Sequence, residues 1–550
     1  MNFEKEDHIV IEKDNPYICK EGERLVITET GCEKLSEIVT DPTGQVYAFT
    51  GKLSPVIVAA AMARLSRRQG DMRATILDEF MVDGDKADLL IKRVVSAYGD
   101  DSVQQLVGLQ FVVEDASNLL TKLLEWGRLA SYLEQSTRYI YFDQKDGHGN
   151  FKYYWPPSYV RGGRYCYAMD LIFERYSLMV RGITDYLRKK HPEPLDKQER
   201  IAWLNSTRAT ACDAVRPVLP VATKSTVGIF ASSQATERLV MNLLSEPLIE
   251  ARVVGRKILD EARKIIPSFL ERADMPERGG AITAHRANTR AKIRNLARQY
   301  LDFNNPQSPT DAVKLISYWP SDELSLIPEI LFEHSESLSL GEIVKQVENF
   351  DMSQKVGVFN AYIGERLNRR HRPGRAFEKA HFEWEVVGDY GTFRDLQRHR
   401  IVDAWEWQRL SPQFGYEVSE LVIEAGFERD FRKCFEISEG LYKFLMSVST
   451  DETQDVQAQY AVLLGHKMRY RFIINLRQAF HMLELRTGPD GHPGYRKICN
   501  QMFELLKDVY PFSGAAMRFV NQREDPELTR LASERATQYK LDKLDSLKAQ

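Results

Sequence analysis

Apolar and polar positions along the chain fall into a rhythm that runs, stops and starts again. The first forty or so residues read as turns and short strands. Gln45–Thr50 then predicts a strand, and Ser54 opens an amphipathic helix through Leu65. Helical spacing follows over Asp88–Tyr98, Leu119–Arg128, Tyr165–Lys189, Ser206–Val215 and Thr236–Arg272. Pro276 to Pro309 breaks the pattern with Gly279-Gly280, Asn304-Asn305-Pro306 and Ser308-Pro309, which are linker and turn signals. Val313–Tyr318 predicts a new strand. Helical periods return over Leu338–Asn368, Phe431–Val448, Gln457–Arg486 and Gly494–Leu506, and Asp525–Gln550 reads as a charged surface helix.

The restart prompts a search for an internal repeat. Phe111-x-x-Glu114 leading to Arg128-Leu-Ala-Ser-Tyr-Leu-Glu134 lies over Phe382-x-x-Glu385 leading to Arg400-Ile-Val-Asp-Ala-Trp-Glu406, with one residue of slippage. Downstream, Val215–Lys224 lies over Ala458–Lys467. Helical sequences align to themselves by chance, so the common order of the blocks counts for more than either block.

Composition narrows the class. A chain of 550 residues, 43% hydrophobic and 28% charged, is an ordinary globular protein. A net charge of −3 argues against a dedicated nucleic-acid or membrane-surface binder. Cys19, Cys32, Cys166, Cys212, Cys434 and Cys499 form no C-x-x-C pair and no metal-ligand spacing, which reads as buried, reduced thiols and no metal site. Met1 to Val10 has no signal-like apolar core, and the apolar stretch Val56–Ala63 is too short to span a bilayer, so the expected location is the cytoplasm.

The sharpest candidate chemistry lies in Glu134-Gln-Ser136-Thr-Arg138-Tyr139 and in Arg398-His399-Arg400. An alternation of Glu, Ser and Arg presents carboxylate, hydroxyl and guanidinium on one side of an extended turn. The guanidinium fork suits a phosphate or a uracil edge. Arg-His-Arg concentrates positive charge against flavin phosphates or a developing anion. A second basic cluster, Arg366, Arg369, Arg370, His371, Arg372 and Arg375, precedes Glu378. It reads as a solvated turn, as a cradle for flavin or nucleotide phosphates, or as a nucleic-acid contact with steep salt dependence. Arg286 to Arg298 is a third basic stretch.

These residues resemble the flavin-dependent thymidylate synthase (ThyX) family, whose signature is R-H-R-x-x-S-x-x-E-x-S-x-R-Y. Copy one keeps Arg128, Ser131, Glu134, Ser136, Arg138 and Tyr139 but has Trp126-Gly127 where the family has Arg-His. Copy two keeps Arg398, His399, Arg400 and Glu406 but has Asp403, Gln408 and Leu410 where the family has Ser, Ser and Arg. Further elements are similar to the family's: Arg216 before Val218-Leu219-Pro220 in copy one, with Gln459 at that place in copy two. Copy two also keeps Asn475, Arg477, His481 and Arg486 on a late helix, where copy one has Ser232, Gln234, Arg238 and Leu243. Of the family's G-H-x-S/T-x-x-E stretch, copy one has Gly99–Gln105 without the histidine and glutamate, and copy two keeps Glu378.

The resemblance implies an α+β fold. Two tandem units, each a small sheet with a helical bundle, would be related by a pseudo-twofold axis. The divisions would be an N-terminal extension (1–43), repeat one (44–275), a linker (276–310), repeat two (311–522) and the charged helix (523–550). It implies reductive methylation of dUMP to dTMP, with FAD as cofactor and NADPH and methylenetetrahydrofolate as co-substrates, in a composite site of a homodimer. By resemblance, Arg128, Glu134, Ser136, Arg138, Arg216 and Arg486 bind dUMP, with Ser136 and Arg486 closest to the chemistry. Glu378, Arg398, His399, Arg400, Asn475, Arg477 and His481 face FAD. The broken motifs leave two other readings: a flavoenzyme for another pyrimidine nucleotide or nucleic acid, and a non-catalytic nucleotide-binding descendant.

Overall fold

The computed structural model describes residues 15–22, 24–64, 70–81, 85–91, 101–160, 162–303, 311–523, 528 and 530–548. Met1 to Val10, the second half of Asp88–Tyr98, Gly99-Asp100 and the Asn304–Pro309 turn signals lie outside the described residues. Nine strands are present among those described: β1 (Ile18–Glu21), β2 (Arg24–Ile27), β3 (Gly108–Ser117), β4 (Ala130–Glu134), β5 (Lys224–Ser232), β6 (Val313–Trp319), β7 (His381–Asp389), β8 (Ala404–Trp407) and β9 (Lys467–Asn475). They form a β1-β2 hairpin, a sheet of order β3-β5-β4 and a sheet of order β6-β7-β9-β8. With many helices around small sheets, the fold is α+β, as expected.

The two larger sheets repeat one plan. β3 runs into the helix Asn118–Leu124 with Ser117 as N-cap, and β7 runs into Tyr390–Leu396 with Asp389 as N-cap. β5 runs into Ser233–Ser245 with Ser232 as N-cap, and β9 into Leu476–Arg486 with Asn475 as N-cap. In each sheet the fourth-in-chain element of this plan (β5 or β9) lies between the other two, so β3-β5-β4 and β7-β9-β8 have one order. Chance self-alignment of helical sequence does not reproduce strand order and cap position together.

The chain packs as two compact units. One contains residues of 1–113, 129–133 and 227–301; the other contains 114–128, 134–226 and 302–550. The larger unit holds the β6-β7-β9-β8 sheet. β7 and β9 pair antiparallel along their whole length, from His381 opposite Asn475 to Asp389 opposite Lys467. Their alternation is that of half-buried strands: Phe382, Trp384 and Val386 on β7 and Met468, Tyr470, Phe472 and Ile474 on β9 are buried in one core. On the opposite face Arg471 meets Glu383 (3.3 Å) and Glu406 (2.8 Å), so a one-residue slip would drive guanidinium and carboxylate groups into the core. The helices Leu476–Arg486 and Pro493–Val509 pack on the sheet, and Glu428–Val448 packs against Arg164–Lys190 in the same core.

In the smaller unit Arg272 ties Glu237 (2.9 Å) and Asp101 (2.5 Å), and Arg263 ties Asp274 (2.5 Å). Among the described residues no helix is long and apolar enough to cross a membrane.

Several expectations are corrected. Gln45–Thr50 forms no strand; only Phe49 bridges, to Val39. The Leu119–Arg128 helix stops at Leu124, and Thr236–Arg272 is broken into three helices, with Pro247 and Pro267 at the breaks. Leu338–Asn368 is two helices, each opened by its own capping box, and Gln457–Arg486 conceals β9. Within 276–310 lies the helix Gly279–Tyr300, which carries the basic stretch and is anchored by Arg286 on Asn242 (2.5 Å) and Arg290 on Glu246 (2.7 Å). Gly279 serves close packing there, because a Cβ would lie 2.0 Å from the Ala273 carbonyl oxygen. The charged C-terminal helix begins at Leu531. Four of the six cysteines are buried, but Cys19 is exposed and Cys32 half-buried.

Candidate functional site

The repeated strand-to-helix junction places a cation at the same point in each copy, five residues beyond the cap: Lys122 after Ser117 and Arg394 after Asp389. In the larger unit both reach one carboxylate, that of Glu134 at the end of β4. Lys122 Nζ lies 3.1 Å from Oε2, Arg394 Nη2 2.6 Å from Oε1, and Arg398 Nη2 3.3 Å from Oε2. Lys122 also pairs with Glu125. The side chains of Lys122, Glu134 and Arg394 are 1%, 0% and 4% exposed, whereas Arg398 is 43% exposed. Burial pushes the Glu134 carboxyl up, but Arg394, Lys122 and Arg398 more than offset it and hold the group well below the usual carboxylate range.

Two further carboxylates, Asp213 and Asp395, take Arg138 and Arg216 of copy one. Arg138 donates from Nε and Nη2 to Asp213 (2.8 and 2.6 Å) and from Nη1 to the Tyr495 hydroxyl (3.2 Å). Arg216 Nη2 lies 3.1 Å from Asp395 Oδ2, with both side chains largely buried. Burial raises the Asp395 carboxyl, but Arg216, Arg138, Arg398 and Arg486 together depress it strongly. Two arginines of copy one and two of copy two thus act on one acidic side chain. Ser136 is half-buried, and its Oγ accepts from the Arg138 N–H (3.2 Å). Arg128 stands apart on an exposed loop, donating to the Asp403 carbonyl (2.6 Å). The Asp403 carboxylate faces His381 at 3.1 Å.

The copy-two residues form a more open face. Arg486 Nε donates to His399 Nε2 (2.8 Å), and the Gln478 amide nitrogen lies 3.0 Å from His399 Nδ1. His481 packs edge-on against His399 with ring centroids 5.5 Å apart, and Arg372 Nη2 lies 3.5 Å from His481 Nε2. Arg477 binds the Pro373 carbonyl (2.9 Å) and Glu378 (3.3 Å), and Glu378 also takes Arg375 (3.1 Å). Asn475 accepts from the Gln478 N–H (2.8 Å), so its side-chain oxygen caps the helix. Arg369, Arg372, Arg375 and Arg400 are exposed. Burial, then Arg486, His481 and Arg372, push His399 well below its ordinary value; burial, then Arg372 and Arg369, push His481 down to about 4. Neutral imidazoles among guanidiniums make an anion-accepting surface with one carboxylate, Glu378, inside it.

Sequence reading missed Lys122, Arg394, Asp213, Asp395 and Tyr495. The repeat held a signal for two of them: Lys122 and Arg394 precede Arg128 and Arg400 at equal spacing.

Two buried histidines set an acid limit for the larger unit. Burial lowers His466 to about 4, and burial with Arg216 lowers His492 to about 3. Unfolded histidine takes up its proton near pH ~6.5. Below that pH the unfolded chain binds more protons than the folded one, so the stability present above it is lost as pH falls toward 4. The slope is at most about 1.4 kcal/mol per pH unit for each histidine. Urea midpoints measured from pH 7.5 to 4.5 should fall steadily. A shallower profile in His466→Gln, His492→Gln would confirm the source, His399 and His481 supplying the remaining slope, and a flat profile in the unaltered chain would refute it.

The chain matches the family described as thymidylate synthase complementing protein over residues 51–268 and 314–512. It is 30% identical to a UPF0159 protein of Chlamydia muridarum over 526 residues, covering 91% of this chain and 97% of the relative. It is 30% identical to a UPF0159 protein of Chlamydia pneumoniae, over 95% of this chain and 98% of the relative. A UPF0159 protein of Thermoplasma acidophilum is 25% identical over 86% of this chain and 97% of its own length. Among solved structures, a UMP/dUMP methylase from Streptomyces cacaoi bound with 5-Br dUMP matches 37% of this chain and 93% of its own, at 16% identity and a TM-score of 0.30. With its pattern matched in two segments that carry the same strand order, the chain belongs to the thymidylate synthase complementing protein family, as a diverged tandem duplication.

Proposed function

We propose that this protein is a flavin-dependent pyrimidine-nucleotide methylating enzyme, dUMP being its first candidate substrate, with one composite site built from the surviving halves of both copies. The observation that carries the reading is that arginines of copy one meet residues of copy two and the reverse: Arg216 pairs with Asp395 (3.1 Å), Arg398 with Glu134 (3.3 Å), and Arg138 and Arg486 both lie over the Tyr495 ring (5.8 and 5.4 Å). Complementary motif loss has this outcome when one shared site is retained.

In this reading the cationic copy-two face accepts the phosphates of FAD through Arg372, Arg398, Arg400 and Arg477, with His399 and His481 as neutral hydrogen-bonding partners. The bound flavin supplies the hydride, NADPH the reducing equivalents and methylenetetrahydrofolate the carbon, giving dTMP, tetrahydrofolate and NADP+. The chain's own residues orient the nucleotide: Arg486, held by His399, faces the pyrimidine, and the Ser136 hydroxyl and Arg138 hold the phosphate end. A homodimer completes the assembly.

A second reading is a non-catalytic nucleotide-binding protein. It is favoured by the neutralisation of Arg138 by Asp213 and of Arg216 by Asp395. Absorbance spectroscopy of the full chain with FAD, followed by dUMP titration, separates them. The enzyme reading expects bound oxidised flavin whose spectrum dUMP shifts, loss of both in Arg398→Gln, and dTMP formed when NADPH and methylenetetrahydrofolate are added. Flavin binding without turnover of dUMP or UMP would establish the second reading.

A further inference from the structure

The long helix hairpin of the larger unit holds a cavity separate from these residues. It lies between the helices Arg164–Lys190 and Lys197–Val215, beside the chain that follows Arg138, with a volume of about 330 Å³. Its lining is cationic. Arg181, Asp185 and Arg188 stand on one face of the first helix, and Asn205 and Arg208 on the second.

The three guanidiniums are not equivalent. Arg181 is neutralised by Asp143 at 2.5 Å and lies flat over the Tyr141 ring, 4.3 Å from its centroid, which fixes it as part of the wall. Arg188 reaches only the Thr207 hydroxyl at 3.5 Å, with its guanidinium 5.6 Å from the Trp203 ring. Arg208 donates to the Asn205 carboxamide at 3.1 Å. Among the described residues no carboxylate comes within ion-pairing distance of Arg188 or Arg208. This differs from Arg138, Arg216, Arg366 and Arg394, each of which has a carboxylate partner. Two forks that no carboxylate pairs, drawn from facing helices into one concavity that Asp185 also lines, make an acceptor for a phosphate. The Asp185 carboxylate in the lining can take hydroxyl donors, as can the Asn205 carbonyl oxygen beside its bond from Arg208, while the Asn205 amide nitrogen is turned to Glu534 at 3.5 Å. The volume is in the lower range of small-ligand sites.

The geometry points to a second binding site here for a phosphomonoester of about mononucleotide size, its phosphate held between Arg188 and Arg208 and its sugar hydroxyls by Asp185 and Asn205. It is distinct from the flavin and nucleotide residues and does not depend on their assignment.

The test is calorimetric titration of the full chain with UMP and, separately, inorganic phosphate, on the unaltered protein and on Arg188→Gln, Arg208→Gln. The unaltered chain should bind one UMP at this site, beside any taken by the composite site, and phosphate at this site more weakly. In the double variant the affinity should fall by on the order of 100-fold, at about tenfold for each charge-assisted contact. The shift of flavin absorbance by dUMP should stay unchanged. UMP binding of unaltered stoichiometry and affinity in a double variant that retains its urea midpoint would overturn the site. So would phosphate binding as tight as UMP, since the hydroxyl contacts would then contribute nothing. Loss of flavin binding with retained UMP binding would count against the enzyme reading and leave this site standing.

Discussion

Replacing Glu134 by alanine should destabilise the larger unit by about 3–5 kcal/mol, the usual cost of breaking a buried pair by removing one partner. Glu134 is the carboxylate shared by Lys122, Arg394 and Arg398. Without it Lys122 keeps Glu125, but the buried Arg394 guanidinium loses its carboxylate partner and stays out of water. Glu134→Gln keeps the shape and loses the charge, so it should cost nearly as much. The loss is read as a lower urea midpoint at constant slope. If Glu134→Ala lowers nucleotide affinity while costing less than about 1 kcal/mol of stability, the residue is a ligand-binding group and not the charge centre inferred here.

Asp395→Asn should uncouple stability from ligand occupancy in the opposite way. Asp395 pairs with Arg216 and is further depressed by the charges of Arg138, Arg398 and Arg486, so the variant leaves Arg216 buried without its partner. The free protein should lose about 3 kcal/mol or more. An added anion then does what the carboxylate did. At a hundred times its dissociation constant, dUMP or inorganic phosphate should restore about 2.7 kcal/mol in the variant, and much less in the unaltered chain, where Asp395 competes for the same arginines. Thermal midpoints with and without each ligand measure the difference. Equal ligand-induced shifts in both proteins would show that dUMP and phosphate do not enter among these arginines, and would remove the main support for the composite site.

How much of this was legible in the sequence varied with the range of the interaction. The duplication and the complementary halves are local matters of residue type and order, and both were readable. The sequence marked Glu134 and Arg398 as site residues for different ligands, and their contact with each other was not read from it. β9 was readable too, since Met468, Tyr470, Phe472 and Ile474 alternate with polar or exposed positions. It was lost because apolar residues on the following helix extend the run into an apparent helical period. The helix Gly279–Tyr300 was hidden because glycine reads as a break, while Gly279 is there for its missing Cβ. What no local pattern shows is counter-charge. Asp213 and Asp395 lie far in sequence from the arginines they neutralise, so Arg138 and Arg216 read as free ligands when each already has an acidic neighbour.

The make-up of the larger unit bears on how such a chain can change over generations. It draws 114–128 and 134–226 from the first copy and 302–550 from the second copy and the chain beyond it. A break in the gene between the copies would part Arg138 from Tyr495, Arg216 from Asp395 and Arg394 from Glu134 at one stroke. Each residue that one copy surrendered because the other still had it made that parting costlier. The duplication therefore behaves as a ratchet: once the halves had specialised, neither could again be inherited as a protein in its own right.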